Sequence, residues 1–208
     1  LQRWSPRRNM NHLFFASQFE AQPFLKDSMV QLSDSPLIYE GEFRIIIIGS
    51  GLVDAAANTT AYLTKLEIKP TDNFINLGIA GATTTSHKVG SVHEVSRAII
   101  YCAEYIPETS LNIWHQSYPD LPVQDEGLIL ATSLHPIWGG KFIPTLRIKK
   151  AALVDMEGYA FLRACKNFNI TPKMYKSVSD NLMKESQNQF LKDAGIAIEK
   201  LYKFYTNL

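Results

Sequence analysis

Two short stretches decide how this chain folds: Leu153-Val-Asp-Met-Glu-Gly-Tyr-Ala160 and, further along, Lys176-Ser-Val-Ser-Asp180. The first begins in an apolar run, 151–154, that is typical of a buried strand, and then changes to helical spacing. The second ends a run of alternating apolar residues and so predicts another strand. In open α/β sheets, ligands bind beyond the carboxyl ends of the strands. Each stretch therefore carries an acidic residue toward one crevice.

Glu157 stands at the head of the predicted helix, on its apolar face. The residues that share this face recur at helical spacing: Ala160, Phe161, Ala164, Cys165 and Phe168. Because a lone buried carboxylate costs several kcal/mol, we expect Glu157 to have a partner. The alternative is an acidic residue placed favourably near a helix N-terminus, which does not explain why it lies on the apolar face.

The pattern Val-Asp-Met-Glu-Gly-x-Ala, followed by a strand and Ser-Val-Ser-Asp, resembles the nucleoside phosphorylase superfamily. Within it, the chain is most similar to the 5′-methylthioadenosine/S-adenosylhomocysteine nucleosidases and the futalosine hydrolases. The motifs match strongly at 12–20, 75–81 and 151–181. The resemblance implies a three-layer α/β/α fold around a central mixed, partly closed sheet, spanning 10–208 as a single domain. It further implies a homodimer that acts on a nucleoside without cofactor or metal.

The resemblance implies a role for each residue that matches a motif. Glu20 falls on the position of the water-activating glutamate in the first strand-to-helix turn. Asp180 corresponds to the acid that protonates the leaving base. Glu157 would accept the 2′- and 3′-hydroxyls of the ribose, with Met156 packed on the sugar and Ser179 beside the acid.

Further positions match less closely. Gly81 belongs to a glycine-rich loop whose backbone lies against the substrate, whereas Ile79 replaces a serine that helps to hold the attacking water. His135 would stack on the purine, and the backbone of Pro136 would contact its edge. Lys176 stands where the nucleosidases have an arginine near the water, which keeps the charge but loses the bidentate fork.

Structural explanations compete with these roles. Ser17 and Glu20 have the spacing of a capping box, which stabilises a helix start. Asp180 could cap a short helix after Asn181, and His135 could be a loop histidine without a role. The turn Gly49-Ser-Gly51 opens a predicted helix; most such turns only pack helix against strand, and in the family this one helps to shape the site.

Hydrolysis and phosphorolysis differ in their need to bind an anion. The phosphorylases place arginines in the first turn and just before the glycine loop, and this chain has none at 17–22 or at 75–78. Because Glu20 would also repel phosphate, water is the expected nucleophile. A phosphate-dependent transferase and a non-catalytic nucleoside-binding protein of the same fold remain as alternatives.

Composition narrows the function classes. The chain has 208 residues with 21 basic and 20 acidic side chains, so it can form about one domain and has no polycationic signature for nucleic acid or membrane surfaces. Two cysteines do not make a disulfide framework, no apolar run reaches about 18 residues, and the five histidines show no metal-ligand spacing. We expect a cytoplasmic protein. Residues 1–9 are interpreted as an extension, left by an expression vector or by an upstream start codon.

The remaining pattern predicts the order of the other elements. A long loop is expected at 101–126, with a short strand at 111–114; in the family this region forms the specificity end of the pocket and part of the dimer interface. Strands are predicted at 12–16, 37–41, 42–48, 74–77, 88–100, 127–131 and 174–178, and helices at 53–66, 156–168 and 185–208.

Overall fold

The computed structural model describes residues 9–102, 118–137, 140–182 and 187–208. The predicted short strand at 111–114 lies outside these residues. The described strands are β1 (Asn11–Phe15), β2 (Val30–Asp34), β3 (Leu37–Glu40), β4 (Arg44–Ile47), β5 (Asn73–Ala82), β6 (Val92–Tyr101), β7 (Leu121–Pro122), β8 (Leu128–Ser133), β9 (Ala151–Asp155) and β10 (Lys173–Asp180). The helices are α1 (Gln18–Ala21), α2 (Leu52–Lys65), α3 (Ile143–Ile148), α4 (Gly158–Asn167) and α5 (Gln187–Tyr205), with 3₁₀ turns at Gln22–Phe24 and Gly140–Phe142.

The described strands form one mixed sheet in the order β10-β6-β8-β9-β5-β1-β4-β3-β2, with β7 paired to β6. Strand β10 also pairs in parallel with β5, so β5, β10, β6, β8 and β9 close into a ring. The other strands of the order extend from β5 as an open wing. The predicted mixed, partly closed sheet is therefore confirmed.

Helices cover both faces of the sheet. Because consecutive residues of a strand point to opposite faces, neighbouring residues of β1 pack in different cores. In β1, Phe14 packs in the core cluster that includes Tyr62 of α2 and Phe161 of α4. Its neighbour Phe15 belongs to the other cluster, which includes Leu201 of α5. These two cores make the three-layer arrangement that was expected. No helix in the described parts of the chain is long and apolar enough to cross a membrane.

Two features of the sheet differ from the sequence prediction. The segment 78–81, expected as a loop, continues β5 as a strand, because it pairs with β10 along its length and with β9 at Gly81. Strand β2 was not predicted; it pairs with β3 at the outer edge of the wing. The helix expected from Met156 begins at Gly158, so Met156 and Glu157 lie in the turn that leads into it.

Candidate active site

A cavity of about 380 Å³ lies where the carboxyl ends of β1, β5, β9 and β10 meet. Seven of the residues to which a role was assigned line it: Glu20, Gly81, Pro136, Met156, Glu157, Ser179 and Asp180. Residues without an assigned role also contribute, among them Asp155 and Ser50 on the polar side and Phe19, Ile137, Leu182 and Leu191 on the apolar side.

Glu20 is both a helix-capping residue and a wall of this cavity. The Ser17 hydroxyl accepts a hydrogen bond from the Glu20 amide at 3.3 Å, and Glu20 Oε2 accepts from the amides of Ser17 (3.2 Å) and Ala16 (2.9 Å). Its other oxygen, Oε1, accepts from the amide of Ile79 at 3.0 Å. The capping box is therefore present, and it fixes the carboxylate in the cavity wall rather than competing with a role there. At position 79 the backbone, rather than a side-chain hydroxyl, meets Glu20.

Two opposing effects act on the ionisation of the Glu20 carboxyl group. The residue is 6% exposed, and this burial raises the pKa of its carboxyl. The nearby Lys176 ammonium and the backbone amides act in the opposite direction and lower it. Lys176 does not line the cavity; it is buried behind the wall.

Asp155 is the polar residue of this site that sequence reasoning missed. Its Oδ2 lies 2.9 Å from Lys176 Nζ and accepts a hydrogen bond from the Gly158 amide at 2.8 Å. Its Oδ1 accepts from the Thr132 hydroxyl at 2.7 Å. The available signal was its place as the last residue of β9, one turn before the helix that follows Glu157.

Glu157 has the partner that its predicted burial required. Its Oε1 accepts a hydrogen bond from the Gly51 amide at 2.6 Å, and no bond from its side chain caps its own helix. Gly51 has a φ of +90°, in the left-handed region that favours glycine. Burial and, after it, the Asp155 carboxylate raise the pKa of Glu157 to about 7. The 49–51 turn thus contributes to the site through Gly51 and through Ser50, which lines the cavity.

Asp180 ends β10 and is held by its own neighbours. Its Oδ2 accepts a hydrogen bond from the Ser179 hydroxyl at 2.8 Å, and its Oδ1 accepts from the Leu182 amide at 2.7 Å. The second bond closes a local turn, with Leu182 at a φ of +57°, and 183–186, where the short helix of the capping alternative would continue, lie outside the described residues. The same carboxyl group lines the cavity, so the turn sets its direction.

Gly81 brings backbone close to Asp180. A Cβ at position 81 would lie 3.0 Å from Asp180 Oδ1 and 2.3 Å from Leu182 Cδ2. His135, in contrast, is exposed and is not among the residues that line the cavity, although its neighbour Pro136 is. Stacking of His135 on a purine stays a prediction. Within the described parts of the chain, no group of histidine, cysteine and acidic residues could hold a metal ion.

Comparison with known proteins agrees with this geometry. No protein-family profile matches the chain. A 5′-methylthioadenosine/S-adenosylhomocysteine nucleosidase from Staphylococcus aureus (strain MRSA252) is 29% identical over 201 residues, covering 82% of this chain and 86% of the relative. Two solved structures share the fold. A nucleosidase of the same name from Colwellia psychrerythraea 34H, in complex with adenine, has a TM-score of 0.77 at 19% identity and covers 96% and 94% of the two chains.

The second structure is a futalosine hydrolase mutant from Helicobacter pylori strain 26695, with a TM-score of 0.70 at 17% identity over 97% of this chain and all (100%) of the other. The chain is thus similar in sequence to a nucleosidase over most of its length, and it has the fold that these nucleosidases share with the futalosine hydrolase.

Proposed function

We propose that the protein is a nucleosidase that hydrolyses the N-glycosidic bond of a purine nucleoside or thionucleoside of the methylthioadenosine, S-adenosylhomocysteine or futalosine type. The observation that carries the proposal is that Glu20 and Asp180 line one cavity together with Glu157. A binding protein needs neither a base for water nor an acid for a leaving group. The similar nucleosidases and futalosine hydrolase act on the same kind of bond.

Each carboxyl group has one task in this reaction. Glu20 takes a proton from water as the water oxygen bonds to C1′ of the sugar. The bond between C1′ and the base nitrogen breaks, and its electron pair stays on the base, to which Asp180 gives a proton. Glu157 accepts hydrogen bonds from the ribose hydroxyls through the oxygen that does not bind Gly51. The products are the free base and the sugar, and no cofactor or metal is required.

The charges in the cavity favour water over phosphate as the nucleophile. Four acidic residues line it, Glu20, Asp155, Glu157 and Asp180, and the described lining contains no lysine or arginine. The nearby ammonium of Lys176 is paired with Asp155. A phosphate dianion would therefore meet repulsion without a fixed cation to offset it, whereas neutral water would not.

The test uses chromatography to measure the release of free base from five nucleosides, each with and without phosphate. The nucleosides are methylthioadenosine, S-adenosylhomocysteine, futalosine, adenosine and inosine. We expect release without phosphate. Glu20→Gln and Asp180→Asn should each lower kcat by about 10²-fold or more, which is typical for loss of a general base or acid. Glu42→Gln and Asp125→Asn make the same chemical changes at exposed positions outside the cavity and should leave kcat unchanged.

Other outcomes would favour the alternatives. Release that requires phosphate would make the protein a transferase and refute the argument from cavity charge. Tight binding of adenosine analogues with no release from any nucleoside would favour a binding protein of the same fold.

We also propose that the protein is a cytoplasmic homodimer that does not bind nucleic acid. The resemblance to the nucleosidases supports the dimer, and so do two apolar side chains at the cavity mouth, Phe19 (49% exposed) and Leu191 (48% exposed), which a partner would cover. Light scattering after size exclusion should give twice the 23.5 kDa mass of the chain. A monomer at micromolar concentration would refute the dimer.

Cell fractionation tests the cytoplasmic location, and a gel-shift assay with DNA and RNA tests the lack of nucleic-acid binding.

A further inference from the structure

Behind the cavity wall, Lys176 and Asp155 form an ion pair that the proposed reaction does not use. The Nζ–Oδ2 distance is 2.9 Å, and the two side chains are only 3% and 1% exposed. Taking a single ion out of water costs several kcal/mol, so neither charge is stable there without the other. A buried pair is weak evidence for stability, because apolar residues often serve as well. Stability therefore does not explain why this ion pair lies beside the cavity, and a role in the reaction is the alternative.

Asp155 is held rigidly and independently of Lys176. The Thr132 hydroxyl, at the end of β8, donates to Oδ1 at 2.7 Å, and the first amide of α4, from Gly158, donates to Oδ2 at 2.8 Å. Thr132 Oγ1 in turn accepts a hydrogen bond from the Tyr159 amide at 2.9 Å. The hydrogen bonds from β8 and α4 therefore hold the Asp155 carboxylate in place without any contribution from Lys176.

Lys176 extends from β10 across β5 toward Glu20. Gly78 is its register partner on β5, and a Cβ at Gly78 would lie 3.0 Å from Lys176 Nζ and 3.3 Å from Glu20 Oε1. The ammonium and the carboxylate thus both lie beside Gly78, a residue of β5 that has no side chain to separate them. A larger residue at position 78 would crowd both groups.

The charged groups that face Lys176 come from three elements: Asp155 of β9, Glu20 of α1 and Glu157 ahead of α4. Burial alone would lower the pKa of Lys176, but these carboxylates raise it above its ordinary value, Asp155 most strongly. His93, its register partner on β6, interacts with Ser91 and with His87 instead. Removal of Asp155 therefore removes the strongest support for the charge on Lys176.

We propose that Asp155 is a positioning residue: it holds the Lys176 ammonium, in its charged form, near Glu20, so that Glu20 stays ionised and can accept the proton from water. This rests on the proposed hydrolysis and adds a residue to it. Asp155 would act through Lys176 and not by contact with the reacting atoms.

A double-mutant cycle with pH profiles tests the proposal. Asp155→Asn keeps the size of the side chain and should move the acidic limb of the kcat profile upward, with kcat falling about tenfold for each pH unit below the raised pKa of Glu20, because Lys176 without Asp155 no longer holds its charge. Lys176→Met should move the acidic limb upward at least as far, because Glu20 loses the cation that lowers its pKa, and both variants should approach the wild-type rate at a pH where Glu20 is fully ionised. In the Lys176→Met background, adding Asp155→Asn should cost nothing further.

A further loss in the double variant, or an acidic limb that does not move in Asp155→Asn, would overturn the proposal. If Asp155→Asn alone does not fold, the double variant still decides, because it contains no unpaired charge from the pair and is compared with Lys176→Met. Lys176→Arg, which keeps the charge, should retain more activity than Lys176→Met, and equal activity of the two would also count against it.

A second readout does not depend on turnover. In protein labelled at lysine, the ¹³Cε signal of Lys176 reports its protonation directly, and its midpoint should lie at least about one pH unit lower in Asp155→Asn than in the wild type. An equal midpoint would overturn the role of Asp155 even in an active enzyme. A lowered midpoint in a protein that releases no base would instead leave the pairing in place and refute only the proposed hydrolysis.

Discussion

At the scale of single residues, the ionisation of Glu157 should control ligand binding. The two ribose hydroxyls donate hydrogen bonds to an ionised carboxylate, whereas a protonated carboxyl group accepts fewer hydrogen bonds. Burial and Asp155 raise the pKa of Glu157 to about 7. We therefore expect the affinity for a C-nucleoside, whose carbon–carbon glycosidic bond cannot be hydrolysed, to fall about tenfold per pH unit below that pKa. Isothermal titration calorimetry at a series of pH values measures it.

Glu157→Gln should bind this ligand more weakly at pH 8, and its affinity should be independent of pH between about 5.5 and 8. The same ligand without its 2′- and 3′-hydroxyls serves as a second control, since it should lose the pH dependence with the wild-type protein. A wild-type affinity that does not change with pH would contradict the role of Glu157 in holding the sugar.

The acidic site residues differed in how readily they could be predicted. Glu20 and Asp180 stand in motifs whose spacing indicates a strand end, and both line the cavity. Asp155 stands in the same motif as Glu157 but escaped notice, because its importance lies in a partner on β10, and pairing between distant elements leaves no local pattern. His135 was assigned from the resemblance, as an aromatic ring at about the position of one that stacks on the purine, and the structure leaves it exposed.

At the scale of elements, the resemblance implied a glycine-rich loop that contains Gly81, whereas the structure places both Gly78 and Gly81 in β5. Glycine in a strand weakens it, so local preference agreed with the loop. In the fold, this segment pairs with β10 along its length and with β9 at Gly81, and this pairing outweighs local preference. What the glycines provide is close approach: Gly78 faces Lys176 and Glu20, and Gly81 faces Asp180.

The strands and long helices themselves could largely be predicted, because a period of two or of 3.6 residues is a local property of the chain. The helix at 158–167 and the strand at 173–180 each begin or end within two residues of the prediction, which is the usual uncertainty of element ends. Strand β2 was missed because its residues are mostly exposed or only partly buried, so no apolar alternation marks it.

At the scale of the whole molecule, closure of the sheet determines where the site lies. Strand β10 pairs with β5 and with β6, which brings Asp180 beside Gly81 and across from the end of β9. Such closure depends on registers between strands that are far apart in sequence, so no stretch of the chain indicates it. The resemblance to a known superfamily supplied the partly closed sheet in advance; periodicity could not have done so.

A buried polar cluster lies at the opposite end of β1 from the cavity. His12 is 1% exposed, with its Nδ1 2.5 Å from the Tyr62 hydroxyl and its Nε2 3.7 Å from Asp72 Oδ2. Its ring stacks on Phe74 at 4.8 Å between centroids. Burial, together with the charge of Arg44 and against the opposing effect of Asp72, lowers the pKa of His12 from 6.5 to about 4. The native state therefore holds this histidine in its neutral form.

The cluster predicts how stability depends on pH. Between about pH 6.5 and 4 the unfolded state binds a proton at His12 that the folded state refuses, so His12 lowers the free energy of unfolding as the pH falls, by about 2–3 kcal/mol in all. Glu157, with its raised pKa, contributes with the opposite sign, so the effect must be measured as a difference. We therefore measure the free energy of unfolding of His12→Gln and of the wild type in urea. The value for the variant minus the value for the wild type should rise by this amount from pH 7 to pH 4. His135→Gln, at an exposed position, should show no such shift, and a constant difference for His12→Gln would mean that His12 is not held neutral by the fold.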